Sequence, residues 1–577
     1  MHVPFLRLLL ICLFVPAAPG YAAPPAADAV PTVIYTAREI VTMAPEKPLA
    51  TAVAVRDGRI LGVGAKDEML ALTRGMDPAV DERFAGSVIV PGLIEQHIHP
   101  ILSALSLTTE VIAIEEWQLP GRTFPAARDR KGYLERLRAV EAAMADAQSP
   151  LVSWGFHHYF HGRLTRQDLD AISKTRPIFI WHRSAHEFIL NSAALEAAQV
   201  SAQDVAANSG FIRQQIDLQK GHFWEAGAFD FLLPRIFDFL AQGMGPGLVL
   251  TELYLHAAGV TTAAEPGGMA GFYEQLTAVL GDPDTPLRFF FIPDGRSLAL
   301  EFSGAALLEA TEAAQVGTGG NTAFLPGQVK LFSDGAMFSQ LMQMRGGYLD
   351  GHHGEWMMEQ DVFKSAFATY WDAGYQIHVH QNGDAGLDLV LDALRDNMRR
   401  KPRTDHRTTI VHFGFSAPDQ VQELSRLGAI ISANPYYPVA LGEKYSELGI
   451  GPKRARSMVR LADAVKAGIR VSLHSDMPMA PAQPLYLMWA AVNRIGSGGG
   501  IIGPQQALTA EQALRAVTLD AAHSLRLEHE IGSIEAGKRA DFTVLAENPL
   551  TVPKMRIKDI AVLGTVLGGR PFPLHRQ

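Results

Sequence analysis

The chain has 577 residues, 47% of them apolar and 19% charged, with a net charge of −9. That is enough apolar material for two or three packed domains and too much for a disordered chain. No basic run is long enough to track a phosphate backbone, so the expected partner is a small molecule and not nucleic acid.

The first residues, "MHVPFLRLLLICLFVPAAPGYAA", combine Arg7, an apolar stretch from Leu8 to Val15, and the small residues Gly20 and Ala22. This pattern predicts a signal peptide over residues 1–22 and a secreted or periplasmic protein. The stretch is too short to span a bilayer, so no stable membrane insertion is expected. The only cysteine, Cys12, lies inside it. A mature chain without cysteine must build any metal site from His, carboxylate or Lys.

Residues 31–90, including "TAVAVRDGRILGVGA", alternate like strands and turn at Asp57-Gly58. Residues 530–577 alternate in the same way. Neither end holds enough strands for a core of its own, so the two are expected to pair into one small composite β-sandwich.

Residues 91–529 read as a (β/α)8 barrel of the α/β class. Its first strand comes from "IVPGLIEQHIHP" (89–100), where period-two alternation would turn His97 and His99 to one face. Seven β-rich runs follow at 259–266, 287–293, 327–335, 375–383, 408–415, 428–437 and 469–478. Amphipathic stretches such as "AGLDLVLDALRDNM" separate them, with apolar residues recurring at three and four. An insertion at about 101–250 interrupts the barrel after its first strand. Its segment "SWGFHHYFHGRLTRQDLDAISKTRPIFIWHRSAHEFILNSAAL" is dense in aromatics and histidines.

In a barrel of this kind chemistry sits at the carboxyl ends of the strands. Ionisable residues fall at those ends: His97 and His99 on the first, Lys330 on the fourth, His378 and His380 on the fifth, His412 on the sixth, His474 and Asp476 on the eighth. Spacing does not choose between His378 and His380, which share a face. His352 and His353 read as a solvated loop.

Several of these runs together resemble the amidohydrolase superfamily, and within it the N-substituted formamide deformylase-like, or YtcJ-like, branch. The resemblance rests on "VIVPGLIEQHIHP", "VKLFSDGA", "HVHQNGDAGLDLVLDAL", "IVHFG", "HSDMPMAPAQPL" and "SIEAGKRADFTVL", in that order. It implies that His97 and His99 bind a buried metal, that Lys330 is carboxylated and bridges, and that His380 and His412 hold a second metal. The "HQNGD" continuation selects His380 over His378. One or two divalent ions, zinc first, are the implied cofactors, with Asp476 as catalytic acid and base. "HRSAHEFILNSAAL" resembles the branch's RxDGHxxxxNS stretch and places His186 and Asn191 near the substrate, although Ser184-Ala185 replaces its acidic residue. His378 and His474 complete the expected substrate-binding set, His474 as a group that orients Asp476.

The function so implied is hydrolysis of a C–N bond in an amide or formamide by metal-activated hydroxide. A lactone or ester hydrolase, a deaminase, and an exported binding protein without catalysis stay open as alternatives. So do the choice between one metal and two and the formation of a homo-oligomer.

Overall fold

The computed structural model describes residues 31–119, 121–146, 148–268 and 271–574. The expected signal peptide, residues 1–22, lies outside the described residues.

Eight short strands follow one another with helices between them: β1 (Leu93–Glu95), β2 (Val260–Gly268), β3 (Arg288–Pro293), β4 (Gln328–Phe332), β5 (Gln376–Gln381), β6 (Thr409–His412), β7 (Ile430–Ala433) and β8 (Val471–Leu473). Each of the eight sequence runs overlaps one of them, and β2 extends two residues beyond its run. All are buried along most or all of their length, which is why they read as continuous apolar or β-branched runs.

Every pairing among these strands is parallel. The ladder falls into two sheets. β1, β2, β3 and a short unanticipated strand, Thr322–Phe324, make the first, and β4 to β8 make the second. A parallel bridge between Asp294 and Lys330 joins them at one seam. At the other, the Asp476 amide donates to His97 O at 3.1 Å and the His99 amide to Met477 O at 3.0 Å. The outward faces of β1 to β3 pack Ile94, Ala264 and Ile292 against Ala521, Ala522 and Leu525.

The first strand is shorter than its sequence suggests. Ala79–Pro91 pairs with the chain-end strands, and only Leu93–Glu95 reaches β2. Between them the chain passes so close to β2 that a Cβ on Gly92 would lie 2.0 Å from Thr261 Oγ1. His97 and His99 therefore follow the strand instead of alternating along it. His99 is the N-cap residue of the helix Pro100–Leu107.

Both chain ends enter one seven-stranded sheet, in the order Arg570–Pro573, Val562–Leu567, Phe542–Leu545, Ala79–Pro91, Val33–Val41, Leu49–Arg56, Arg59–Gly64. One core beneath it combines Tyr35, Val53 and Ile89 with Phe542, Val544 and Val566. Neither end could bury these residues alone.

The insertion carries a six-stranded sheet built from Glu110–Val111, Leu151–Phe156, Ile178–His182, Glu187–Leu190, His222–Trp224 and Ile216–Asp217. Ile112, Tyr133, Leu137, Leu151, Ile178 and Ile189 belong to a core of its own. Asn191 serves this unit and not the substrate. Its Oδ1 accepts from the Ala194 amide at 2.9 Å, capping the helix Ser192–Ala197, and from the Ile178 amide at 3.0 Å. Its Nδ2 donates to Ser173 O and Arg176 O, both at 2.9 Å. With all four capacities used and no exposure, the side chain has nothing left to offer a ligand.

Asn191→Ala should therefore cost about 2–4 kcal/mol, the loss of a cap plus stranded buried partners. The midpoint of urea unfolding measures it. Ligand binding by the folded variant should stay unchanged; weakened binding with unaltered stability would return Asn191 to the expected site.

Candidate metal centre and catalytic site

Asp476 is the point on which the strand ends converge. Its Oδ1 lies 3.4 Å from His97 Nε2 and 3.3 Å from His99 Nε2, and its Oδ2 lies 3.6 Å from His412 Nδ1. His97, His99 and Asp476 form a group whose ligand atoms all fall within 4.8 Å of one another. The cluster continues through imidazole pairs. His412 Nε2 faces His380 Nδ1 at 2.9 Å, and His412 Nδ1 faces His474 Nε2 at 3.1 Å.

Two of these residues hold left-handed backbone, His412 with φ 73° and Asp476 with φ 60°. For residues with a Cβ this conformation costs of order 1–3 kcal/mol and persists only where the surroundings enforce it. At Asp476 the enforcement is visible: its amide is held by His97 O, and the preceding residue by Glu95. Glu95 Oε2 accepts from both the amide and the hydroxyl of Ser475 at 3.1 Å. Burial pushes the Glu95 carboxyl up to about 8.

The electrostatics call for a cation. Burial lowers His97, His380, His412 and His474 well below the ordinary imidazole value, so all four are neutral bases at pH 7. At His99 burial also acts downward, but Asp476 and Glu265 outweigh it and raise the ring to about 9. His99 Nδ1 lies 3.7 Å from Glu265 Oε1. Both ring nitrogens of His97 and Oδ1 of Asp476 are buried without a hydrogen-bond partner. Unpartnered imidazole nitrogens beside a carboxylate fit a divalent ion of the zinc type.

Lys330 is 1% exposed, in the middle of β4 beside the seam. Burial pushes its amine down to about 7. Its Nζ lies 5.2 Å from the centre of the Phe332 ring.

His474 and His378 stand behind the site. His474 Nδ1 contacts Ser432 Oγ at 2.8 Å while its ring stacks on His97 at 4.8 Å. It thus orients His412 and His97 more directly than Asp476. His378 Nε2 pairs with Gln328 Oε1 at 2.9 Å in a polar layer that also contains Gln376 and Thr409. It precedes His380 by two residues, which at about 3.3 Å each places it roughly 6–7 Å deeper along the strand. The expectation that His378 binds substrate is thereby corrected: it belongs to the packed barrel interior.

A cavity of about 140 Å³ opens above the cluster, lined by His99, His186, Phe229, Glu265, Phe332 and Met479. His186 Nδ1 pairs with Glu225 Oε2 at 2.6 Å, and Glu225 Oε1 accepts the Ala336 amide at 2.9 Å. This pairing leaves His186 Nε2 for a ligand. Arg296 also borders the cavity but is committed to Asp230 through bonds of 2.9 and 2.6 Å.

Sequence reasoning missed Glu95, Glu225 and Glu265 as parts of the site. Glu95 lies two residues before the first histidine and could have been found by its place in a buried run. Nothing local marks Glu225, whose partner is 39 residues away.

A family model described as "Amidohydrolase family" matches residues 85–572. N-substituted formamide deformylase of Arthrobacter pascens is 26% identical over 559 residues, covering 90% of this chain and 94% of that protein. The putative amidohydrolase YtcJ of Bacillus subtilis (strain 168) is 22% identical over 559 residues, covering 92% and 97%. An uncharacterized metal-dependent hydrolase from Pyrococcus horikoshii OT3 superposes with a TM-score of 0.68 at 18% identity, covering 91% of this chain and 99% of that one. Such a likeness bears on fold alone, and the fold it implies is a TIM-type barrel of the α/β class. With most of its length matched by the family model, strand ends and closing segment included, the chain belongs to the amidohydrolase family.

Proposed function

We propose that this metal-dependent hydrolase of C–N bonds cleaves an amide or formamide-type bond, with Asp476 moving the proton. The observation that carries the reading is the convergence of His97, His99 and His412 on one buried carboxylate, at 3.3 to 3.6 Å.

His97, His99 and Asp476 would hold one divalent ion, and His380 and His412 a second. Lys330, carboxylated by CO2, would stand between them. The neutral amine is the form that adds CO2, and a lysine pushed down to about 7 has it available at neutral pH. Zinc suits this set of imidazole and carboxylate donors. A bound ion of this kind lowers the pKa of water from 15.7 to about 7 and polarises a carbonyl.

The protein's own groups do the rest. Asp476 accepts the proton of the attacking water and returns it to the departing nitrogen, which an amide requires because its anion is a very poor leaving group. His186, its Nδ1 held by Glu225, presents Nε2 to the substrate. Phe229, Phe332 and Met479 give the cavity apolar walls, which keep water out and suit an apolar substituent on nitrogen. The activity named for the Arthrobacter relative fits this pocket.

We also propose that the protein is exported, on the pattern of residues 1–22, and that its domains are the composite sandwich of 31–90 with 530–577 and the barrel of 91–529. Among the described residues no helix is long and apolar enough to cross a membrane.

Removal of metal with a chelator should abolish hydrolysis of N-formyl and N-acyl substrates, and zinc, manganese or cobalt should restore it in part. Full activity in protein shown by elemental analysis to be metal-free would sink the reading. Lys330→Ala should lower metal occupancy, with partial rescue by a short carboxylic acid. Unchanged occupancy and rate in that variant would leave a single-ion site as the better description. Asp476→Asn should keep the fold and most of the metal while turnover falls by roughly 10²–10⁴-fold. Normal turnover would remove Asp476 from the chemistry and make another group the proton carrier.

A further inference from the structure

The insertion holds a second group of histidines that the barrel chemistry does not use. His157, His158 and His182 each offer a nitrogen, and the three lie within 4.8 Å of one another. His182 ends a strand of the six-stranded sheet, and His157 and His158 are the N-cap and first residue of the short helix His158–His161 that follows its neighbour.

Their inner nitrogens face one another. His182 Nδ1 accepts the Ser184 amide at 3.1 Å and lies 2.9 Å from Ser184 Oγ. Its Nε2 faces His158 Nδ1 at 3.4 Å. The gap is long for a hydrogen bond between rings. It matches the separation of about 3.3–3.4 Å between nitrogens that each lie 2.0–2.1 Å from a tetrahedral zinc. His157 Nε2 is buried with no partner, while its Nδ1 takes the Tyr159 amide at 3.1 Å. At His157 and His182 alike, ligation through Nε2 would exchange the amide contact at Nδ1 for a bond to metal.

A carboxylate stands behind the cluster. Glu187 Oε1 lies 3.6 Å from His182 Nδ1 and is itself buried and unpartnered, while Oε2 is held by His222 Nε2 at 2.7 Å. A carboxylate at the far nitrogen of a ligating histidine is a recurrent support for metal ligands. Access exists as well: His158 and Glu187 line a cavity of about 470 Å³, separate from the one above Asp476.

We propose that His157, His158 and His182 form an accessory site for a divalent cation of the zinc type, distinct from the barrel centre. Its consequence for the enzyme runs through Ser184. The Ser184 hydroxyl that contacts His182 also accepts the His186 amide at 3.0 Å. With Nε2 on an ion, His182 Nδ1 would donate to that hydroxyl, which links the ion to the turn that delivers His186 to the catalytic cavity.

The test uses the mature full-length chain, loaded with zinc and desalted. Crystals measured at the zinc edge should give an anomalous peak among His157, His158 and His182 in addition to any in the barrel. A peak in the barrel with none at these histidines overturns the proposal; absence in the barrel speaks to the proposed function instead. In solution, His158→Ala, at a partly exposed position, should lose one zinc per chain. His97→Ala/His99→Ala should keep that ion. Glu187→Gln, nearly the same size, should weaken it about 10–100-fold against a competing chelator. Equal zinc content and affinity in wild type, His158→Ala and Glu187→Gln would overturn the assignment.

Discussion

The structure is organised around one electrostatic demand. A carboxylate, Asp476, and several neutral imidazoles are buried together where water cannot solvate them. Burying such groups without compensation costs several kcal/mol for the charge alone. Only a cation in their midst answers it, whether a proton on His99 or a metal shared by all. The raised proton affinity of His99 and the orphaned nitrogens of His97 are two signs of the same deficit.

That demand explains the supporting layer. The barrel interior below the site is polar, with His378 bonded to Gln328, Gln376 to Thr409, and Gln96 reaching Ser432 at 3.1 Å. Ser432 in turn contacts His474, and His474 contacts His412. A layer of Val and Leu, the usual filling of such a barrel, would leave those outer nitrogens without partners. The left-handed backbone at His412 and Asp476 is the other cost of aiming two short side chains at one point.

What could be read from the sequence follows from range. The eight strands β1 to β8 were legible, unlike the short Thr322–Phe324, because burial on both faces imposes a local run of apolar residues, and the ionisable residues near the strand ends were conspicuous against it. His97, His99, His380, His412 and Asp476 are brought together as expected. Asn191 and His378 were misplaced because their roles depend on partners 13 to 50 residues away, Ile178 for one and Gln328 for the other. Period two correctly turns His378 inward, but it is silent on depth. The same limit hid Glu225, since a single glutamate in "GHFWEAG" carries no periodic signal.

The insertion is coupled to the chemistry more tightly than a decorative lid would be. Arg183, fully buried, pairs with Glu115 and lies 4.7 Å from the Trp154 ring. It also donates to Pro478 O at 3.0 Å, on the loop that continues from Asp476. Three residues later, His186 enters the cavity against Glu225. One short segment of the insertion, 182–186, therefore touches the accessory histidines at its start, the catalytic loop at its second residue and the substrate cavity at its end. Rigidity in that segment is transmitted directly to Asp476 and His186, because a buried guanidinium with several partners has no alternative arrangement of similar energy. In the proposed reading, substrate selection would then depend on the insertion's packing as much as on the cavity walls.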